Sequence, residues 1–427
     1  MSSNALQPAA ESPQRRRIPA RSRPVPSGWR LVALIGTMSI FGPLCIDMYL
    51  PALPDIGQQL HASASAVQLT LTACVIGISA GQLLLGPVSD HLGRRLPLLT
   101  GLAAFIVSSL ACAVAPNIYL LTGFRLIQGA GGAAGIVIAR SIVRDLHSGV
   151  ALARFFATLM LATGLGPMLA PQFGSWILTV TTWRGVFVLL AVVGSILLLS
   201  AWWRVPETLP PGSRSSGGLL SALGEMISVS RDRIFLGYAL SCALAMGATF
   251  AYVAGSSFVL QDVYGLSPQA YGLVFALNGG AMVAGAQVSG RLAGRLGPAA
   301  LLAAGLITMT AGGVLFLIAA LARSAGLAGV IPALIIMMAG WGLVGPNALA
   351  LAMHLRPRSA GVTSAVLGCL QFVMAAVVAP LPGLRGAHDP LPMAVLLIAL
   401  PAAAIVAWLG LSHGKRGRAA DAAQPRG

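Results

Sequence analysis

The sequence predicts an all-α polytopic membrane protein with twelve transmembrane helices, and three observations predict it. The first is composition. Of 427 residues, 56% are hydrophobic and only 9% are charged, whereas soluble domains carry roughly 25% charged residues. The second is a series of apolar runs of roughly 20 residues, the length that crosses a bilayer as a helix. Lipid offers the backbone no hydrogen-bond partners, so long runs without alternation read as helices. The third is the placement of Lys and Arg, which cluster in alternate connections as the positive-inside rule requires.

The runs lie near 31–50, 67–86, 96–115, 118–139, 155–175, 185–203, 234–258, 272–290, 298–322, 328–353, 360–383 and 391–411. With this assignment 23 of the 27 Lys and Arg fall on one side, Arg184, Arg323 and Arg385 on the other, and Arg125 inside a span. Both termini are therefore expected in the cytoplasm. The arginines ahead of the first run (Arg15, Arg16, Arg17, Arg21, Arg23) mimic a signal peptide, but no small-x-small cleavage site follows, and the run reads as a retained span. Trp29, Trp202, Trp203 and Trp408 fall near expected inner ends and Trp176 and Trp183 near outer ends, the place for interfacial aromatics.

Between the sixth and seventh runs, Arg204 to Arg233 carries Pro206, Pro210, Pro211 and the piece GSRSSGG, which reads as a linker; GLLSALGEMIS within it is a candidate surface helix. The expected organisation is a basic cytoplasmic tail at 1–30, a six-helix bundle at 31–203, the linker at 204–233, a second six-helix bundle at 234–411 and a tail at 412–427. GPVSDHLGRR at Gly86–Arg95 is echoed by SGRLAGRLG at Ser289–Gly297. Six plus six helices with such an echo is the pattern of parallel-repeat carriers, whose site lies near the midplane.

Net charge +16 would point to nucleic acid in a soluble protein, but here it sits in short clusters between apolar runs and reads as topology. The five cysteines (Cys45, Cys74, Cys112, Cys242, Cys369) lie inside apolar runs, odd in number and without CxxC spacing, so neither a disulfide frame nor a metal site is expected. Gly77–Gly81 matches GxSxG, yet no strand-to-helix context or membrane-depth histidine accompanies it, and it reads as a small-residue face. The glycines at 129–135 lack the strand that a dinucleotide loop needs.

Asp47 is the acid set deepest in a span. Such a carboxylate is costly in lipid and reads as functional by default; the alternative is a structural carboxylate near the helix end before Pro51. Arg125 in span four, with Gln128 one turn on, is the matching cation, and proton relay or substrate contact on one hand and a fixed ion pair on the other stay open. Gly86, Asp90, Gly93, Arg94 and Arg95 form a tight turn in which Asp90 can cap the next helix and the arginines can meet carbonyls of the preceding one; topology-setting charge is the other reading, and for this segment alone the better one. In span five, Gly166, Ala170 and Gly174 make a close-packing face, with Gly164, Pro167 and Pro171 beside it. Tyr49, Gln128, Tyr252, Asn278, Trp341, Asn347 and Gln371 are candidate cavity residues, with Gln82, Gln287, Tyr271 and Phe372 as further polar or aromatic groups within spans.

Several of these segments resemble one family. DMYLPALPDI at Asp47–Ile56, GPVSDHLGRR at Gly86–Arg95, FRLIQGAGGAA at Phe124–Ala134, ARSIVRDL at Ala139–Leu146, FVLQDVYGLS at Phe258–Ser267, GPNALALAM at Gly345–Met353 and AGVTSAVLGCLQF at Ala360–Phe372 resemble the major facilitator superfamily. The resemblance is to its drug:proton antiporters of the bicyclomycin-resistance (Bcr/CflA) type, and covers nearly all of 31–411. It implies the major facilitator fold, alternating access, and proton-driven export of small, largely apolar compounds across the bacterial inner membrane. It also implies that Asp47 and Arg125 handle protons and that Gly86, Asp90, Gly93 and Arg94 form a conformational latch. The expected partners are a small-molecule substrate, protons and the lipid bilayer, with no nucleic acid, cofactor or metal, and a monomeric state. Span five, with Gly166-Pro167-Met168-Leu169-Ala170-Pro171, departs from the GPxxGG of many exporters, and GRLAGRLG lacks the latch acid. A metabolite exporter or importer on the same scaffold is the alternative carrier; a membrane enzyme would have only Ser79 to offer as nucleophile.

Overall fold

The computed structural model describes residues 34–38, 44–146, 166, 168–210, 228–322, 326–355 and 360–412. Both tails, most of the linker with its candidate surface helix, Gly164 and Pro167 lie outside the described residues. Among the described residues there is no strand, and nine helices are long and apolar enough to cross a membrane. We label them α1 (Ala64–Leu92), α2 (Arg95–Ala113), α3 (Ile118–Leu146), α4 (Trp183–Arg204), α5 (Arg233–Phe258), α6 (Pro268–Leu321), α7 (Gly326–His354), α8 (Ala360–Val378) and α9 (Leu391–Ser412). Shorter helical stretches at 34–38, 44–47 and 168–177 fall within the expected first and fifth spans.

Local chemistry explains where these helices begin and break. Ser63 and Ser267 accept hydrogen bonds from the backbone N–H of Ala66 and Ala270, and Asp232 accepts from Ile234 and Phe235, capping α1, α6 and α5. At 54 residues, α6 would be about 80 Å long if straight, more than twice the hydrocarbon core. It breaks at Gly297, whose φ of 76° and ψ of 156° are non-helical, and Pro298 starts the second arm. Gly93, with φ 96° and ψ 167°, makes the same break between α1 and α2. The two echoed loops therefore share a backbone conformation that an L side chain would strain.

Packing follows the chain. Helices α1 to α4 pack on one another, with α3 against α1 and α2, while α5 to α9 form a second group in which α6 lies along α7 and α9 along α5. Glycines let backbones touch at these crossings. A Cβ on Gly77 would meet the Leu126 carbonyl, and one on Gly129 the Cys74 carbonyl, so the GISAG stretch is a close-packing face between α1 and α3. Outward-facing Trp203, Val180 and Leu321 are exposed, as a lipid solvent allows. Two aromatics expected at the interface are core instead: Trp183 is fully buried and donates its indole N–H to Gln59 Oε1 at 2.9 Å, and Trp408 is also buried. Their rings pack inward because neighbouring helices cover those ends.

Candidate functional site: a chamber between the two helix groups

A cavity of roughly 310 Å³ lies between the groups. The first group lines it with Ile46, Asp47, Ile78, Gln82, Ile136 and Arg140, the second with Met246, Tyr252, Phe275, Met338, Trp341 and Phe372 among others. The wall is mostly apolar with a few polar anchors, as small-molecule sites are. Asp47 is 6% exposed, and no hydrogen bond or ion pair holds its carboxylate among the described residues. It lines the chamber from the last residue of the helical stretch 44–47, just ahead of the 3-10 turn at Leu50–Ala52. Tyr252 stacks on Phe275 with ring centroids 5.4 Å apart and accepts a hydrogen bond from Asn278 Nδ2 at 2.8 Å. Asn278 thus fixes a lining side chain from behind the wall.

Arg125 does not pair with Asp47. It is fully buried, and one guanidinium nitrogen donates to the Cys45 carbonyl at 2.9 Å and to Gln128 Oε1 at 2.6 Å. Gln128 in turn donates to Ser109 Oγ at 2.8 Å. The guanidinium lies 4.3 Å from the Tyr49 ring centroid, a cation–π contact, and Tyr49 hydrogen-bonds Thr70 Oγ1. Arg125, Gln128 and Tyr49 therefore form a buried unit beside the chamber, clamping the backbone two residues before Asp47. Arg125 Nε and its second terminal nitrogen have no partner among the described residues.

Two other candidates do not reach the chamber. Asn347 donates to Ser289 Oγ at 2.6 Å and to the Leu343 carbonyl, tying α7 to α6, and Gln371 donates to Cys242 Sγ at 2.7 Å, tying α8 to α5. Both are interhelical bonds, which satisfy a polar group in lipid as well as a cavity does. Arg140 is the opposite case. The apolar run ends at 139, which assigns Arg140 to a loop, but α3 continues to Leu146 and carries Arg140 into the chamber wall. The signal that finds it is helical spacing, since Gly132, Ile136 and Arg140 follow one face at four-residue steps.

At the turn after α1, Arg94 is 5% exposed and bonds Asp90 Oδ1, Ser89 Oγ and Asp145 Oδ2 of α3, the last two at 2.7 and 3.0 Å. Burial disfavours its charge, but the hydrogen bonds it donates to Asp145 and Asp90 outweigh this and raise its pKa. Asp90 does not cap α2. Glu207 does, accepting from the N–H groups of Arg94 and Arg95 at 2.8 and 3.2 Å, while Arg95 donates to the Trp202 carbonyl of α4 rather than to the preceding helix. Gly86 supplies the carbonyl for Ser89 Oγ, and Gly93 the turn. Each of these bonds stays within the first helix group or the start of the linker at Glu207, and none reaches the second group.

The opposite end is sewn shut across the groups. Ser65 Oγ donates to the Pro380 carbonyl, Gln68 Nε2 to Ala254, Thr72 Oγ1 to Ala376, and Ser257 Oγ to Leu50, at 2.6 to 3.1 Å. Gly383 N–H donates back to Gln68 Oε1 at 2.9 Å. A second cavity of roughly 220 Å³, lined by Ser79, Leu83, Val137, Ser364 and Cys369 among others, adjoins the chamber toward the Arg94 end.

The sequence pattern of the Major Facilitator Superfamily matches residues 35–380. An uncharacterized MFS-type transporter, YdgK, of Bacillus subtilis is 40% identical over 391 residues, covering 91% of this chain and 96% of its own. A bicyclomycin resistance protein homolog of Haemophilus influenzae is 26% identical over 89% of this chain and 96% of its own. In fold, the chain is similar to the crystal structure of a bacterial homolog of the human lysosomal transporter Spinster, at a TM-score of 0.73 and 17% identity, covering 95% of this chain and all of that one. The chain belongs to the major facilitator superfamily, among relatives of the bicyclomycin-resistance type, and is a multi-pass membrane transporter rather than an enzyme.

Proposed function

We propose that the protein is a proton-coupled antiporter that exports small, largely apolar drugs or toxic compounds across the bacterial inner membrane by alternating access. Twelve helices in two six-helix bundles, 31–203 and 234–411, would rock about the chamber, with both termini cytoplasmic. The observation that carries this reading is an apolar chamber between the helix groups in which Asp47 is the sole carboxylate among the described lining residues. A carboxylate there is neutral and compatible with an apolar guest when protonated, and charged and hydrated when not. Protonation from outside would remove that charge and shift the carrier toward the inward-facing state, and deprotonation inside would reset it, which couples proton entry to the return step. Arg125 supports the cycle through the backbone: its bond to the Cys45 carbonyl links movement of span four to the segment that bears Asp47. The bonds that sew one end and the cavity toward the Arg94 end support an inward-open state.

The test is transport in proteoliposomes. Asp47→Asn is expected to abolish drug movement driven by a pH gradient while leaving the protein folded and able to bind the neutral drug. Wild-type pH dependence surviving that change would overturn the assignment.

A further inference from the structure

Gln82, Arg140 and Phe372 line both cavities and so form the neck between them. The Arg140 guanidinium makes no hydrogen bond or ion pair among the described residues, and its Nε is buried without a partner. Arg125, the other membrane-depth arginine, is out of reach of a guest because it is fully buried. Among the described residues only one acid, Asp47, lines either cavity, and it does not meet Arg140 in an ion pair. An arginine cannot shed its charge, and an uncompensated guanidinium in a half-dry neck is costly unless something else supplies the anion. Gln82, whose amide also has no partner among the described residues, adds N–H groups at the same place. Beside them is an aromatic, apolar chamber with Tyr252, Phe275 and Trp341 in its wall.

We propose that the neck is an oxyanion subsite: Arg140, assisted by Gln82, binds a carboxylate or phosphate group of an amphiphile whose apolar body fills the chamber. This rests on the chamber being the substrate site and names the class of compound it prefers. A fork of N–H donors matches such a group in shape as well as charge. The same cation repels positively charged guests, so the preferred substrates are amphiphilic anions, followed by neutral compounds. Two sources share this chemistry, a soluble organic acid and an anionic lipid headgroup, and the experiment separates them.

The full chain, held in nanodiscs of phosphatidylcholine at neutral pH, is titrated with dansylglycine and with its uncharged analogue dansylglycinamide, following energy transfer from Trp341, with Trp341→Phe as the signal control. Wild type is expected to bind the acid about tenfold or more tightly than the amide. Arg140→Gln brings the ratio to about one without changing the amide's affinity, and Arg140→Lys keeps part of the preference. Equal affinities in wild type, a measurement that needs no variant, overturn the subsite, as does a ratio that Arg140→Gln leaves unchanged. Binding of neither probe overturns the chamber as the substrate site and this subsite with it, whereas equal binding of both leaves the transport reading standing. With phosphatidylglycerol in the discs, weaker binding of the acid alone identifies a lipid headgroup as a competitor for the same neck. Unchanged binding identifies the soluble acid as the guest.

Discussion

Asp47 and Arg125 divide the labour that a single ion pair would otherwise share. The acid faces the chamber, while the arginine faces Cys45, Gln128 and Tyr49 behind it. Breaking a buried pair costs several kcal/mol because a charge is stranded, and a carrier that had to break one in each cycle would meet that cost as a barrier. In the proposed cycle the acid would change protonation without stranding its neighbour. The role of Arg125 depends on a planar guanidinium, since one nitrogen bridges two acceptors while the face covers the Tyr49 ring. Arg125→Lys keeps the charge but loses this geometry. Export by the variant is expected to fall by about tenfold or more, equivalent to about 1.4 kcal/mol, with unchanged melting in detergent. Drug transport in proteoliposomes checks it, and near-wild-type export by Arg125→Lys would show that charge alone suffices. Asp47 was legible in the sequence because a lone acid in an apolar run has few bland explanations. Asn347 and Gln371 were not, because a polar side chain that bonds a neighbouring helix and one that faces a cavity look alike until the neighbour is known.

At the scale of the helices, apolar length located most spans, and the glycine-proline pair at 297–298 marked where one long helix had to become two. Length failed at α3. An apolar run stops at its first charge, whereas a helix stops only when its backbone hydrogen bonds do, and α3 is helical through Leu146, seven residues beyond position 139. Arg140 was hidden by that difference. The turn between α1 and α2 shows a related limit: Glu207 lies more than a hundred positions from the N–H groups it caps, so no local pattern reveals it. Glu207→Ala removes both acceptors from the start of α2. A cost of about 1 kcal/mol is expected, appearing as a lower midpoint of thermal unfolding in detergent. Because Arg94 retains Asp90 and Asp145, substrate binding by this variant should match wild type, and a loss of binding with no loss of stability would contradict the capping role.

Across the whole molecule, the asymmetry of hydrogen bonding among the described residues fits one state of the proposed cycle. Cross-group bonds sew the end that carries Ser65, Thr72 and Gln68, whereas among the described residues the Arg94 network reaches α1, α2, α3, α4 and the start of the linker but not the second group. Opening the sewn end requires these bonds to be released together. Each is worth about 1 kcal/mol net, so the set sums to a barrier of a few kcal/mol, within reach of substrate and proton binding. Covalent closure should therefore trap the carrier. Thr72 of α1 donates to the Ala376 carbonyl of α8 at 3.0 Å, so Thr72→Cys with Ala376→Cys brings two thiols within reach of a short bifunctional reagent. Cross-linking is expected to stop export completely while dansylglycinamide still binds, because in the proposed inward-open state the chamber would be reached from the Arg94 end. Reduction of a cleavable cross-link should restore transport. If cross-linked protein still exported, the two helix groups would not need to part along α1 and α8, and alternating access would have to proceed at another seam.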